Sequence, residues 1–323
     1  MKKILITGGS GFIGSHLAEF LLKKGFHVTV FDKYNYQNNW GWVENFKNNK
    51  NLSVFLGDIR DYDFTNKIIK KKDVVIHLAA LIGIPYSYES PLAYIKTNIE
   101  GTYNVLESCK NNNIKNIIIT STSEVYGSSV YEPMNEIHPC FSQSPYAASK
   151  KSADEIALSY YNSFRLPIKI IRPFNAYGPR QSARAVIPNI IFQLLNKKVK
   201  YVKLGNLQPK RDYTFVSDLC HAYYDILKIK SFGEIYNVGT GMNISILELY
   251  LKLSKILKIN KKIKVEKLRK RSKFSEVFSL KCDYTKINKY TNWRPKINLE
   301  SGLSKTVKWI KNNQNIYKDI YNI

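Results

Sequence analysis

The chain has 323 residues, a formal net charge of +25 and 44% hydrophobic residues, a length that predicts one large or two closely joined domains. No run of about 18 apolar residues occurs, which argues against a membrane partner, and the cysteines Cys109, Cys140, Cys220 and Cys282 stand too far apart for a zinc site or disulfide frame, so no metal is expected. Lysines fall at predicted helix ends and turns without an aromatic-interleaved stripe, so no nucleic acid is expected as a partner, whereas an anionic small substrate suits the charge.

The opening "MKKILITGG" begins like a signal peptide, but Gly8-Gly9 break the apolar run too soon. With free thiols, a cytoplasmic location is the expectation. "KILITG" predicts a first strand, "FIGSHLAEFLLKKG" a helix closed by Gly25, and "HVTVFD" a second strand. "LSVFLGDI", "VVIHLAA", "NIIITST" and "IKIIRPF" repeat the strand signature, with helical segments between most of them. Apolar runs alternating with helices predict an α/β fold, a Rossmann-type doubly wound parallel sheet. From about Asn175 the rhythm changes to loops such as "GPRQSAR" and isolated helices such as "VIPNIIFQLLNKK", with "EIYNVGTG" a further strand. From Ile244 come amphipathic helices, a basic turn "LRKRSK" and a closing "WIKNN" helix. The expected division is a nucleotide-binding domain over 1–174, with a return to it at about 213–240. A smaller mixed α/β substrate-binding lobe takes 175–212 and 241–323.

"TGGSGFIGSHL" places Gly8, Gly11 and Gly14 between the first strand and the first helix. Glycines let the backbone turn sharply and approach a pyrophosphate, and the helix N-terminus supplies amide donors. Asp32 closes the second strand about 20 residues on, where a carboxylate accepts from both ribose hydroxyls and repels a 2′-phosphate. NAD is therefore expected over NADP, with Lys33 beside Asp32 as a contrary charge. Asp58-Ile59 stand after the third strand, where an adenine amine can be held. Further on, "SPYAASKKSADEIALSYY" reads as a helix carrying Tyr146 and Lys150 on one face. An ammonium beside a phenol lowers its pKa toward working pH and makes it a base for a hydroxyl proton.

Together with "GDIRD", "HLAA", "TNIEGTYNVLE", "STSEVYG", "RPFNAYGPRQ", "KRDYTFVSD", "YNVGTG" and "RKRSKFSEV", these motifs resemble the extended short-chain dehydrogenase/reductases that modify nucleotide sugars. The resemblance runs through nearly the whole chain. It implies a tightly held, recycled NAD, a nucleoside-diphosphate sugar between two lobes, and a homodimer or dimer of dimers formed through a bundle that includes the Tyr-Lys helix. It adds Phe12, Ile13, Leu78, Ala79 and Ala80 to the expected cofactor contacts. For the substrate it implies Thr122 on the reacting hydroxyl and Asn175 and Arg211 at the diphosphate, with Ser87, Arg184 and Arg271 as further candidates. Asn98 is expected to order strand ends, and Arg172 to be either a further diphosphate contact or a structural ion-pair residue.

"ITSTSEVYG" separates the reactions within the family. Simple 4-epimerases carry no acid after the Thr, whereas 4,6-dehydratases resemble this chain's Thr122-Ser123-Glu124, as do some nucleotide-glucuronate decarboxylases. In a dehydratase, oxidation at C4 acidifies the C5 proton, and Glu124 is placed to remove it while the C6 hydroxyl leaves as water. Ser123 stands where some dehydratases have an Asp as acid, so Glu124 or a water held by Ser123 takes that role. "AALIGIPYSYESPLAYIKTN" and "FNAYGPRQSARAVIP" look most like the GDP- or UDP-N-acetylglucosamine 4,6-dehydratases that feed legionaminic acid-type synthesis. Gly83 and Ile84-Pro85 suit an acetamido group. The expectation is an NAD-dependent 4,6-dehydratase, with an epimerase or decarboxylase as alternatives and a non-catalytic NAD sensor or nucleic-acid binder more remote.

Overall fold

The computed structural model describes residues 2–317. The end of the expected lobe, 318–323, lies outside the described residues. Among the described residues twelve strands follow in chain order: β1 (Lys3–Thr7), β2 (His27–Lys33), β3 (Leu52–Gly57), β4 (Val74–His77), β5 (Asn116–Thr120), β6 (Ile168–Pro173), β7 (Asn175–Tyr177), β8 (Val202–Leu204), β9 (Lys210–Phe215), β10 (Glu234–Val238), β11 (Asn243–Ser245) and β12 (Ile263–Val265). Seven of them make one sheet in the order β10-β6-β5-β4-β1-β2-β3, with every pairing parallel. The middle strands are apolar on both faces because helices cover both, and β4 and β6 are buried end to end. The helices Phe12–Lys23 and Val216–Lys228 cover one face through Leu17, Leu21, Leu219 and Tyr223. The helices Tyr62–Ile69, Gly101–Asn111 and Pro145–Phe164 cover the other through Ile68, Val105, Leu106 and Ala157.

The order reverses between β1 and β4, so a crevice opens at their C-terminal ends, where doubly wound sheets take ligands. β10 lies beside β6, which brings the chain back to the large sheet after β9. The second lobe holds a three-stranded sheet, β11-β9-β7, and a two-stranded one, β12-β8. Its helices Val186–Leu195, Ile246–Leu257 and Leu299–Asn312 enclose a separate apolar core. Ser245 and Glu248 form a reciprocal cap that starts the second of these helices. Among the contacts between the lobe and the first domain are two polar ones and a ring pair. Arg180 pairs with Glu19 at 2.6 Å, His16 Nε2 meets the Pro179 carbonyl at 3.0 Å, and the Trp42 and Trp309 rings meet edge-on.

Candidate active site

After β1 the backbone turns at Gly8, whose φ of +70° falls where side chains are strained. A Cβ on Gly14 would lie 2.2 Å from the Gly8 carbonyl, so the helix seats directly on the turn. On Gly11 a Cβ would meet only the Gly8 oxygen, at 3.5 Å, leaving the backbone open on the crevice side. Asp32 accepts from the Ser10 amide and from its neighbour Lys33, both at 2.7 Å. Burial raises its carboxyl, and those amides act against the rise. Asp32, Ser10, Gly11, Asn35 and Gly41 line a cleft of about 400 Å³. This combination of an open glycine turn with a carboxylate at the end of the second strand fits a dinucleotide with a free ribose hydroxyl pair.

The other expected cofactor residues lie around the same crevice in different states. Phe12 and Ile13 pack against the first core, the Leu78 amide donates to the Thr7 carbonyl and the Ala79 amide to Thr7 Oγ1, and Ala80 follows. Lys33 is exposed. Asp58 is engaged by Arg60, whose guanidinium lies at 2.5 Å and lowers the carboxyl. Ile59 is buried, and its carbonyl accepts from Asn104. Asn98 bonds both polar groups of Leu81 and the Ser149 hydroxyl, so it orders the chain after β4.

Beyond β5 a short turn, Ser123–Tyr126, is capped by Thr122, whose hydroxyl accepts from the Glu124 amide at 3.2 Å. Ser123 and Glu124 are thereby buried at the crevice floor. The helix Pro145–Phe164, capped by Ser144, brings buried Tyr146 and Lys150 against them. Lys150 donates to the Thr120 carbonyl at 2.6 Å. Burial lowers its ammonium to about 8, opposed by Asp154. The phenol of Tyr146 differs from expectation: burial pushes it up, Thr122 acts against that, and Glu124 adds to the rise. Desolvation is the largest influence on this phenol, and the Lys150 ammonium donates to the Thr120 carbonyl.

Glu124 is held by arginines. Arg271 reaches it with both terminal nitrogens, at 3.1 and 3.4 Å, and Arg211 lies at 4.0 Å. Burial works to raise the carboxyl, but the charges of Arg271 and Arg211 outweigh it and the pKa falls below the ordinary value. Arg211 also faces Glu276, at 3.8 Å. Asn175 Oδ1 is buried with no hydrogen-bond partner among the described residues. Ser87 is buried and donates to Ile84, and Arg184 is exposed.

Sequence reasoning missed Glu276 and Asp154. Asp154 stands one helical turn beyond Lys150 on the Tyr-Lys face, a spacing that signals it. Its Oδ2 accepts from Ser121 at 2.9 Å and from Arg172 Nε and Nη2 at 3.1 and 3.0 Å, with both charges buried. Of the two readings the sequence left for Arg172, the geometry is that of an ion-pair residue.

Residues 5–306 match the family model described as GDP-mannose 4,6 dehydratase. A dTDP-D-glucose 4,6-dehydratase of Dictyostelium discoideum is 38% identical over 79% of this chain, which spans 62% of that relative's length. A UDP-glucuronate 4-epimerase of Thermodesulfobacterium geofontis is 33% identical, covering 99% of both chains. The solved structure of DesIV, a dTDP-glucose 4,6-dehydratase from Streptomyces venezuelae with NAD and TYD bound, superposes with a TM-score of 0.89 at 28% identity, over 98% of this chain and 99% of that one. No helix among the described residues is long and apolar enough to cross a membrane. The open glycine turn, Asp32 and the Tyr146-Lys150 pair thus sit in a fold that relatives use with NAD, and the chain belongs to the GDP-mannose 4,6 dehydratase family of NAD-dependent nucleotide-sugar enzymes.

Proposed function

We propose that the chain catalyses 4,6-dehydration of a nucleotide-activated N-acetylglucosamine, GDP- or UDP-linked, to the 4-keto-6-deoxy sugar, in legionaminic acid-type synthesis. One observation carries the dehydratase reading: a buried, ionised carboxylate, Glu124, stands beside the Tyr146-Lys150 pair. An epimerase has no use for such a base. Bound NAD supplies the acceptance of the C4 hydride, its later return to C6, and a positive ring charge that offsets the burial of Tyr146. Tyr146 takes the C4 hydroxyl proton, Lys150 favours the phenolate electrostatically, and Thr122 orients the hydroxyl. Glu124 then takes the C5 proton, Glu124 or a water held by Ser123 protonates the departing C6 hydroxyl, and C5 regains a proton when the hydride is returned to C6. Arg211 and Arg271 hold the diphosphate, and Asn175 joins them through its side-chain NH2, the half of the amide that can donate to a phosphate oxygen.

The acetamido preference rests on Gly83 and Ile84. A Cβ on Gly83 would meet nothing closer than the Tyr94 hydroxyl at 3.5 Å, so the wall there has room for added atoms. dTDP-glucose is the second substrate, because the Dictyostelium and Streptomyces relatives are named for it. A cytoplasmic homodimer or dimer of dimers is part of the same proposal; exposed Ile95, Tyr103 and Phe164 offer apolar surface on the Tyr-Lys helix and the two helical segments packed against it.

The test is product mass after incubation with UDP- and GDP-N-acetylglucosamine, dTDP-glucose and a nucleotide glucuronate. Loss of one water from an N-acetylglucosamine supports the proposal. Loss of water from dTDP-glucose alone moves the substrate to the second reading. Unchanged mass with an inverted C4, or loss of carbon dioxide, replaces dehydration by epimerisation or decarboxylation.

A further inference from the structure

Glu124 belongs to a cluster of four charged side chains from distant segments. Arg211 comes from β9, and Arg271 and Glu276 from the chain after β12. Their formal charges cancel, and the side chains of Glu124, Arg211 and Glu276 are at least nine-tenths buried, with Arg271 21% exposed. Arg271 spends both terminal nitrogens on the two oxygens of Glu124. That fork is the geometry by which a guanidinium binds two phosphate oxygens. One set of N–H groups cannot serve both partners fully. A diphosphate diester carries two charges against one on the carboxylate, so at equal distance it attracts the guanidinium about twice as strongly.

We propose that Arg271 is a positioning residue with two partners: in the empty site it pins Glu124, and in the occupied site its fork passes to the substrate's diphosphate, so that Glu124 becomes a proton acceptor only beneath bound substrate. This rests on the nucleotide-sugar reading and adds a reason for the pairing. The groups facing Glu124 are Arg211 on β9, Arg271 in the tail and Tyr146 on its helix, and Glu276 acts on the two arginines. Of these, Arg271 gives the largest opposition to burial. Transfer of its charge to the diphosphate leaves burial less opposed, and the carboxyl gains proton affinity. The base is thus kept ionised while idle and strengthened when the C5 proton is within reach.

Proton uptake on binding tests the exchange. A nucleotide-sugar diphosphate has no phosphate proton of its own to exchange near neutral pH. Hydride transfer is blocked by Tyr146→Phe, and binding heats at about pH 6 are compared in buffers of different ionisation enthalpy. UDP-N-acetylglucosamine, its GDP analogue and dTDP-glucose serve as probes. We expect uptake of about half a proton, absent in Tyr146→Phe/Glu124→Gln, which still binds. Binding without Glu124-dependent uptake overturns the exchange and leaves the nucleotide-sugar reading intact. Failure of every probe to bind overturns both. If the Gln variant does not fold, Tyr146→Phe/Arg271→Lys replaces it: a lysine keeps the charge without the fork, so uptake falls by about half or more and affinity by about tenfold. Unchanged uptake in that variant overturns the proposal.

Discussion

The two ends of the crevice are built by opposite means. At the cofactor end the work is done by backbone: Gly8 turns, Gly14 lets the helix seat, Gly11 leaves an opening, and one carboxylate, Asp32, is oriented by neighbouring amides. At the sugar end the work is done by charge, with Glu124, Arg211, Arg271 and Glu276 meeting from segments far apart in the chain. The first end needs only local sequence to form. The second exists only after both lobes have folded. If this division is real, the ends fail separately. Tyr146→Phe is the strongest test: turnover falls about 100- to 10,000-fold, while NAD extracted from the purified protein stays at the wild-type ratio. Loss of NAD together with turnover would break the comparison.

A second test strikes beneath the sugar end. Asp154 and Arg172 are buried almost completely, and Asp154 also accepts from Ser121, the residue before Thr122. Asp154→Asn leaves a guanidinium without its counter-charge, so urea unfolding should show about 3–5 kcal/mol lost. Asp154→Asn/Arg172→Met, which removes both charges, should recover most of that. A double variant as unstable as the single one would show that shape, not charge, decides this layer.

Legibility follows the same division. Strand runs such as "NIIIT" and "VVIH" are buried on both faces, so their composition alone marks the large sheet. The glycine turn and the Tyr146-Lys150 pair are close in sequence, and their spacing carries their geometry. The lobe's strands were harder to see: β7, β8, β11 and β12 have three residues each, too few for alternation to show. Arg271 was read as a diphosphate ligand, but no spacing rule joins positions 124 and 271, so its hold on Glu124 was invisible. The raised Tyr146 phenol was also out of reach, because desolvation depends on everything packed around the ring.

The glycine turn gives a finer test within the cofactor end. Gly14→Ala puts a methyl 2.2 Å from the Gly8 carbonyl, so the backbone must move and both stability and NAD binding suffer. Gly11→Ala adds only an ordinary contact at 3.5 Å. Its unfolding free energy should stay within about 0.5 kcal/mol of wild type. Its NAD affinity should fall about tenfold, because the methyl enters the opening kept for the pyrophosphate. Equal NAD affinity in Gly11→Ala and wild type would mean that the opening faces away from the cofactor.

The smallest effect concerns the contact that joins the two ends. His16, on the first helix, meets the Pro179 carbonyl at 3.0 Å, and burial followed by the charge of Arg180 lowers its pKa to about 4. The unfolded histidine binds a proton near pH 6.5, before the folded one does. Stability from this residue is therefore complete above about 6.5 and drains away as pH falls toward 4. His77, buried and lowered to about 3, adds its own loss over the same window. His16→Gln isolates the interlobe share, because an amide can still donate to Pro179 but cannot titrate. Between pH 6.5 and 4.5 the wild type should lose about 1 kcal/mol more than the variant, less than the full shift implies because the ring is partly exposed. Parallel stability curves would mean that the folded and unfolded histidine titrate alike, and the cofactor and sugar ends would then be joined without any dependence on acid.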